Sequence, residues 1–154
     1  MKNEFDEMPT ENYKKYEETA RQLDVHALVD FTCAITKATL DKNIPLEELD
    51  TLKSHFNEIE DFKMDLIIRS IDKANFPAVA FCWLLEDVTK ILPYIENEEL
   101  KKELINGQNI FQSFINRFLT RKKCPDCGTL LLLSDLPQYN YVCYECDGNY
   151  DYGV

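Results

Sequence analysis

Four of the six cysteines in this chain stand in two pairs, Cys124-Pro125-Asp126-Cys127 and Cys143-Tyr144-Glu145-Cys146, with fifteen residues, 128 to 142, between the pairs. Two residues between the members of a pair let the backbone fold back, so that both sulfurs reach one ion about 2.3 Å away. The spacing C-x2-C-x15-C-x2-C is that of a zinc site. Gly128 directly follows the first pair, where a glycine takes φ > 0 and turns its amide toward the thiolates. After the second pair the glycine comes one residue later, at Gly148, behind Asp147, and Asp also tolerates left-handed geometry. The expectation is one structural Zn2+ held by Cys124, Cys127, Cys143 and Cys146. Four thiolates close a tetrahedral shell and leave no position for a reactive water, which argues against a catalytic ion. Two disulfides would need an oxidising compartment, and Met1-Lys2-Asn3-Glu4-Phe5-Asp6-Glu7 is acidic, with no apolar core of an export signal.

The spacer suits a hairpin: a strand over 129–134, a turn through Asp135-Leu136-Pro137-Gln138, and a strand over 139–142. With these pairs and this spacer, residues 124–148 resemble the zinc-ribbon family. The resemblance implies two cysteine knuckles on a small antiparallel sheet around a single zinc held by four thiolates. A rubredoxin-like iron site uses similar knuckles and is the competing metal reading, although the spacer here is short for it. Metal binding is worth on the order of 10 kcal/mol to the folding of such a unit, so the ribbon is expected to need its ion.

Ahead of the cysteines the apolar residues step by three and four, which is helical spacing. The expected fold is mainly α: an acidic tail over 1–8, a helical bundle of four or five helices over 9–120, and the small β zinc ribbon over 121–154. A first helix opens at Pro9-Thr10 and runs to about Asp41 through Tyr16, Ala20, Leu23, Leu28, Phe31, Ile35 and Ala38, with a break near 23–25 as the alternative. Pro45 opens a second helix. Its apolar stripe is Leu46, Leu49, Leu52, Phe56, Ile59, Leu66, Ile67, Ile71 and Ala74, and its other face carries Glu47, Glu48, Asp50, Glu58, Glu60, Asp61 and Asp65. Pro77 opens a third, apolar nearly all round from Phe76 to Leu85, which marks a helix central in its bundle or buried in an interface. Pro93 ends it. Asn97 caps the last helix, which Asn106-Gly107 is expected to divide in two.

Charge bears on partners. With 28 acidic and 17 basic residues the net charge is −11, which disfavours a broad grip on nucleic acid or anionic lipid and permits a basic protein partner. The run from Phe76 to Leu85 is the longest apolar one, about half of what a bilayer span needs, so a soluble, cytoplasmic chain without membrane contact is expected. The leading expectation is a non-enzymatic interaction or regulatory protein whose acidic helical surface binds a basic partner, with a nucleic-acid-handling complex as the natural target. Surplus apolar surface around Trp83 would make a homodimer. The alternative is a nucleic-acid-binding module using Arg117, Arg121, Lys122 and Lys123 for phosphates and the ribbon tyrosines, Tyr139 and Tyr141 first, for stacking. The plainer account makes those cations complements of a helix C-terminus and the tyrosines a miniature core.

A third class is a hydrolase on the bundle. Arg21-Gln22-Leu23-Asp24-Val25-His26 matches R-x4-H and looks like the motif of HEPN-type ribonucleases, in which paired Arg and His of a dimer act at the phosphate and the 2′-hydroxyl. The match covers six residues and sits in the first helix, whereas that family carries it late; a surface arginine and a half-buried histidine also account for it. Carboxylates three apart, as in Glu47–Asp50, Glu58–Asp61 and Glu96–Glu99, are similar to those of magnesium-binding helical pyrophosphatases, but they fall on the polar face of amphipathic helices, and a solvated face is the better account. His55 with Glu58 forms a candidate metal pair or a packing residue. Cys33 and Cys82 read as buried, inert thiols. The four glycines form no phosphate loop, and two histidines leave few acid–base candidates.

Overall fold

The computed structural model describes residues 10–69 and 76–146, and the backbone of 148–150. The expected acidic tail over 1–8, the stripe residues Ile71 and Ala74, and Asp147 lie outside the described residues.

Thr10 starts α1 (Glu11–Ala20) by accepting the Tyr13 amide on its side-chain oxygen, 3.0 Å away. Asp24 does the same for α2 (Val25–Ala38), accepting the Ala27 amide at 3.0 Å. The expected single helix to Asp41 is therefore two helices. Aspartate at 24 takes a backbone donor for its own side chain and starts a new helix where a continuous one would run on. Leu23, in the connection, still buries its side chain. α3 (Leu46–Arg69) follows the Pro45 turn. α4 (Ala78–Ile91) begins after Pro77 and ends in a 3-10 turn, Leu92–Tyr94, that contains Pro93. α5 (Glu98–Asn116) is capped by Asn97, which accepts the Leu100 amide at 3.0 Å.

α5 runs unbroken through Gly107, against the expected division there. A Cβ at Gly107 would stand 2.7 Å from Cγ of Phe31 and closer still to Cδ1. The glycine lets α2 and α5 approach until the Phe31 ring occupies the space a side chain would fill, and Phe31 stacks on Phe111 beyond it.

α4 is the central helix of the bundle, packed between α3 and α5, while α2 packs on α5. Its nearly all-round apolar surface is accounted for by this position: Ala78, Ala80, Phe81, Leu84, Leu85, Val88 and Ile91 are all buried. Phe76 lies at the heart of the core, with the rings of Phe62, Phe81, Phe114 and Phe118 at 4.9–5.5 Å and the Tyr16 hydroxyl donating to its carbonyl. α3 has 24 residues against 14 in α4, so it is about 15 Å longer at 1.5 Å per residue. Only its middle, Leu52, Phe56, Ile59 and Phe62, is fully covered. Leu46 and Ile67, expected in the core stripe, are instead 75% and 74% exposed on the overhanging ends.

After α5 the described residues form four strands, β1 (Leu119–Lys123), β2 (Leu130–Leu133), β3 (Tyr141–Cys143) and β4 (Gly148–Tyr150), in one antiparallel sheet of that order. β2 and β3 are the expected hairpin, and β1 and β4 extend it on either side. Leu119 falls on the spacing of the helical stripe, but α5 stops at Asn116 and Leu119 pairs with Leu132. The sheet is seated on the bundle. Leu132, Leu133 and Val142 belong to the same buried cluster as the helices. The Thr10 amide donates to the Pro137 carbonyl at 3.0 Å, the Thr10 hydroxyl to that of Tyr139 at 3.1 Å, and the Asn12 amide to that of Asn140 at 3.1 Å. Among the described residues, no helix is long and apolar enough to cross a membrane.

Candidate metal centre

Two turns and two strand ends bring the four paired cysteines together. The first turn closes with the Gly128 amide donating to the Cys124 carbonyl at 2.9 Å, and Gly128 adopts φ +76°, the left-handed geometry expected of it. The Cys124 amide donates to the Thr129 carbonyl at 2.8 Å, which leads the chain into β2. In the second turn, after β3, the Cys146 amide donates to Cys143 Sγ at 3.4 Å. All four Sγ atoms lie within 4.8 Å of one another. Cys124–Cys146 is 3.9 Å and Cys127–Cys143 is 3.5 Å. A tetrahedron of sulfurs about 2.3 Å from one ion has edges of about 3.8 Å, so these separations fit a shared ion. They are far longer than the roughly 2.05 Å of a disulfide, so neither pair is bridged.

Cys124 and Cys143 are buried against Leu131 and half-buried Tyr141, while Cys127 and Cys146 face solvent. Hydrogen bonding between Cys127 and Thr129 holds the Cys127 thiol below its ordinary range. Burial pushes Cys143 up, and the neighbouring thiols, Cys127 first, push Cys146 up. Four thiols this close cannot all ionise without a cation between them, and a divalent ion supplies the missing charge. The donor set therefore fits a structural metal ion.

The bundle reaches this centre directly. Trp83 on α4 donates its indole N–H to the carbonyl of Tyr144, between Cys143 and Cys146, at 2.7 Å. The His55 ring lies 5.1 Å from the Trp83 ring, and His55 Nδ1 is 2.5 Å from Oδ2 of buried Asp87. The partner of His55 is thus Asp87, from another helix, and not Glu58. Burial raises the Asp87 carboxyl above its usual value, opposed by the hydrogen bond from His55. Neither Asp87 nor Tyr144 is signalled as a partner by local sequence, since each lies more than thirty positions away from the group it meets.

The remaining candidates fall in separate places. Arg117 caps α5, lies over the Phe114 ring at 5.8 Å and donates to Gln22. It lines a groove of about 340 Å3 together with Arg121, Lys122, Tyr141 and, from α1, Asn12 and Lys15. Lys123 and Tyr139 are not among the groove's lining residues. Arg21 caps α1, while His26 is exposed, not half-buried, at the start of α2. His26 lines a different groove, of about 520 Å3 between α2 and α5, with Asp24, Asp30, Lys37 and Glu103. Cys33 lines it too and is exposed, which corrects its reading as a buried thiol; Cys82 is buried as expected. No protein-family model matches the chain, and no curated protein or solved structure matches it.

Proposed function

We propose that the chain is a non-enzymatic interaction protein in which a structural zinc ribbon is stapled to an acidic helical bundle that docks a basic protein partner. The observation that carries this reading is the convergence of four Sγ atoms within 4.8 Å. An all-thiolate set favours zinc over harder cations, and its closed shell serves structure in preference to catalysis. The indole bond from Trp83 to Tyr144 supports a ribbon that moves with the bundle as one rigid body. For the partner, α3 presents Glu47, Asp50, Glu58, Asp61 and Asp65 exposed to solvent. Such a face speeds encounter with a cationic surface, chiefly through the on-rate, and loses that advantage as salt rises.

The test is affinity capture from native lysate with metal analysis of the same sample, for the wild-type chain and for an Asp50→Asn, Glu58→Gln, Asp61→Asn, Asp65→Asn variant. The expected result is one zinc per chain in both, and a basic partner lost from the variant and at high salt. Absence of stoichiometric zinc overturns the ribbon, and undiminished capture by the variant overturns the docking face.

A further inference from the structure

We propose that the groove between α1, the C-terminal end of α5 and β1 binds the phosphate backbone of single-stranded nucleic acid. Three separate elements bring cations to it: Lys15 from α1, Arg117 from the end of α5, and Arg121 and Lys122 from β1. The other lining residues are Asn12, Thr120, Leu119, Leu133 and Tyr141, so among the described residues no carboxylate lines it. That is unusual for a chain with 28 acidic residues. The α2–α5 groove holds Asp24, Asp30 and Glu103, the groove beside Cys82 holds Glu86, and the one beside Trp83 holds Glu58 and Asp135.

Lys15, Arg121 and Lys122 are exposed and form no ion pair among the described residues. Gathering like charges without counter-charges costs repulsion in the free protein, and a polyanion relieves it while releasing its own condensed counterions. The backbone is shaped to do this. Leu119 pairs with Leu132 and Lys123 with Leu130, so β1 advances four residues while β2 advances two. In a regular strand the neighbours Arg121 and Lys122 would point to opposite faces. The bulge re-aims them, and both line the same groove. Tyr141, half-buried on β3, supplies an aromatic surface on which a base can stack. Cations spread over three elements of an open groove suit a strand that runs across them. An isolated phosphate group would call for donors converging on one point.

The experiment uses the metal-loaded full chain and fluorescein-labelled single strands of RNA and of DNA, followed by anisotropy. With four phosphate contacts at about 0.7 each, affinity should fall roughly fifty-fold between about 50 and about 200 mM salt. Lys15→Ser and Lys122→Ser alter exposed side chains only, and each should weaken binding of every sequence and reduce the salt slope by about 0.7. Lys102→Ser, at the far end of α5, should change neither. Tighter binding of RNA than DNA assigns a 2′-hydroxyl contact, and equal binding assigns backbone contacts alone; both agree with the proposal. It is overturned by absence of binding at the lower salt, by unchanged binding in both groove variants, or by inorganic triphosphate competing as well as the strand at equal phosphate concentration.

Discussion

The indole N–H of Trp83 donates to the carbonyl of Tyr144 at 2.7 Å, one residue beyond Cys143. A helix of the bundle thus holds the second cysteine turn through a backbone atom, and the Trp83 ring is itself backed by His55, whose Nδ1 meets buried Asp87 at 2.5 Å. The geometry of the metal centre and the packing of α3 against α4 are parts of one arrangement.

Trp83→Phe keeps an aromatic side chain at this position and removes the donor, leaving the Tyr144 carbonyl without its indole partner. The expected cost is about 1–2 kcal/mol of global stability, measured by urea denaturation, together with faster transfer of the metal to a chelator. A stability loss with an unchanged rate of metal transfer would show that this bond does not brace the turn.

Removing the metal should be felt well beyond the sheet. Leu132, Leu133 and Val142 sit in the same buried cluster as the helices, so a sheet that loses its ion uncovers helical core. Chelation is expected to lower the midpoint of the helical circular-dichroism transition and to shift the emission of Trp83, the single tryptophan. Restoring zinc should reverse both changes. A helical midpoint that stays put after metal loss would mean that the sheet folds on its own account.

Much of this arrangement is legible in the sequence wherever the signal is local. Two cysteines three positions apart must turn toward each other, and apolar residues every three or four positions must share a helix face. What escapes is non-local. β1 is a strand because β2 lies beside it, yet Leu119 alone falls on helical spacing. Lys15 and Arg117 share a groove across a hundred residues of chain, and His55 finds Asp87 on the next helix. Gly107 shows local propensity overruled: next to Asn106 it reads as a helix break, but the ring of Phe31 needs the space and the helix continues. The exposed ends of α3 depend on the length of its neighbour, which no stripe of its own residues encodes.

Gly107→Ala sets two effects against each other. Alanine in a helix interior gains about 1 kcal/mol over glycine. Its Cβ, however, would meet Phe31 Cγ at 2.7 Å, and Phe31 is fully buried, stacked on Phe111. Overpacking of this kind costs typically about 1–3 kcal/mol, so a net loss of stability is expected, with α2 displaced from α5. Pairing it with Phe31→Leu should recover part of the loss, read as coupling in a double-mutant cycle. A stabilised single variant would show that α2 shifts freely.

The six thiols should separate into three classes. In the metal-loaded chain an aromatic disulfide reagent should reach exposed Cys33 at once, the four clustered cysteines only after chelation, and buried Cys82 only on unfolding. Cys82 also carries a pH dependence of definite sign. Burial first, then the charges of Glu86 and Glu145, push its thiol from 9.0 up to about 12. The folded chain therefore keeps a proton that the unfolded chain releases. This contribution to stability is intact below pH 9.0 and is lost progressively as pH rises through about 12. The buried Tyr16 hydroxyl is raised in the same sense, from an ordinary value of 10.0, so its effect begins higher. Denaturation midpoints compared between about pH 8 and about pH 10 should fall in the wild-type chain and fall less in Cys82→Ala, after each is referred to its own value at the lower pH. Equal slopes in the two chains would place the alkaline sensitivity elsewhere, and early reaction of Cys82 with the reagent would show that the pocket beside Tyr144 opens to solvent.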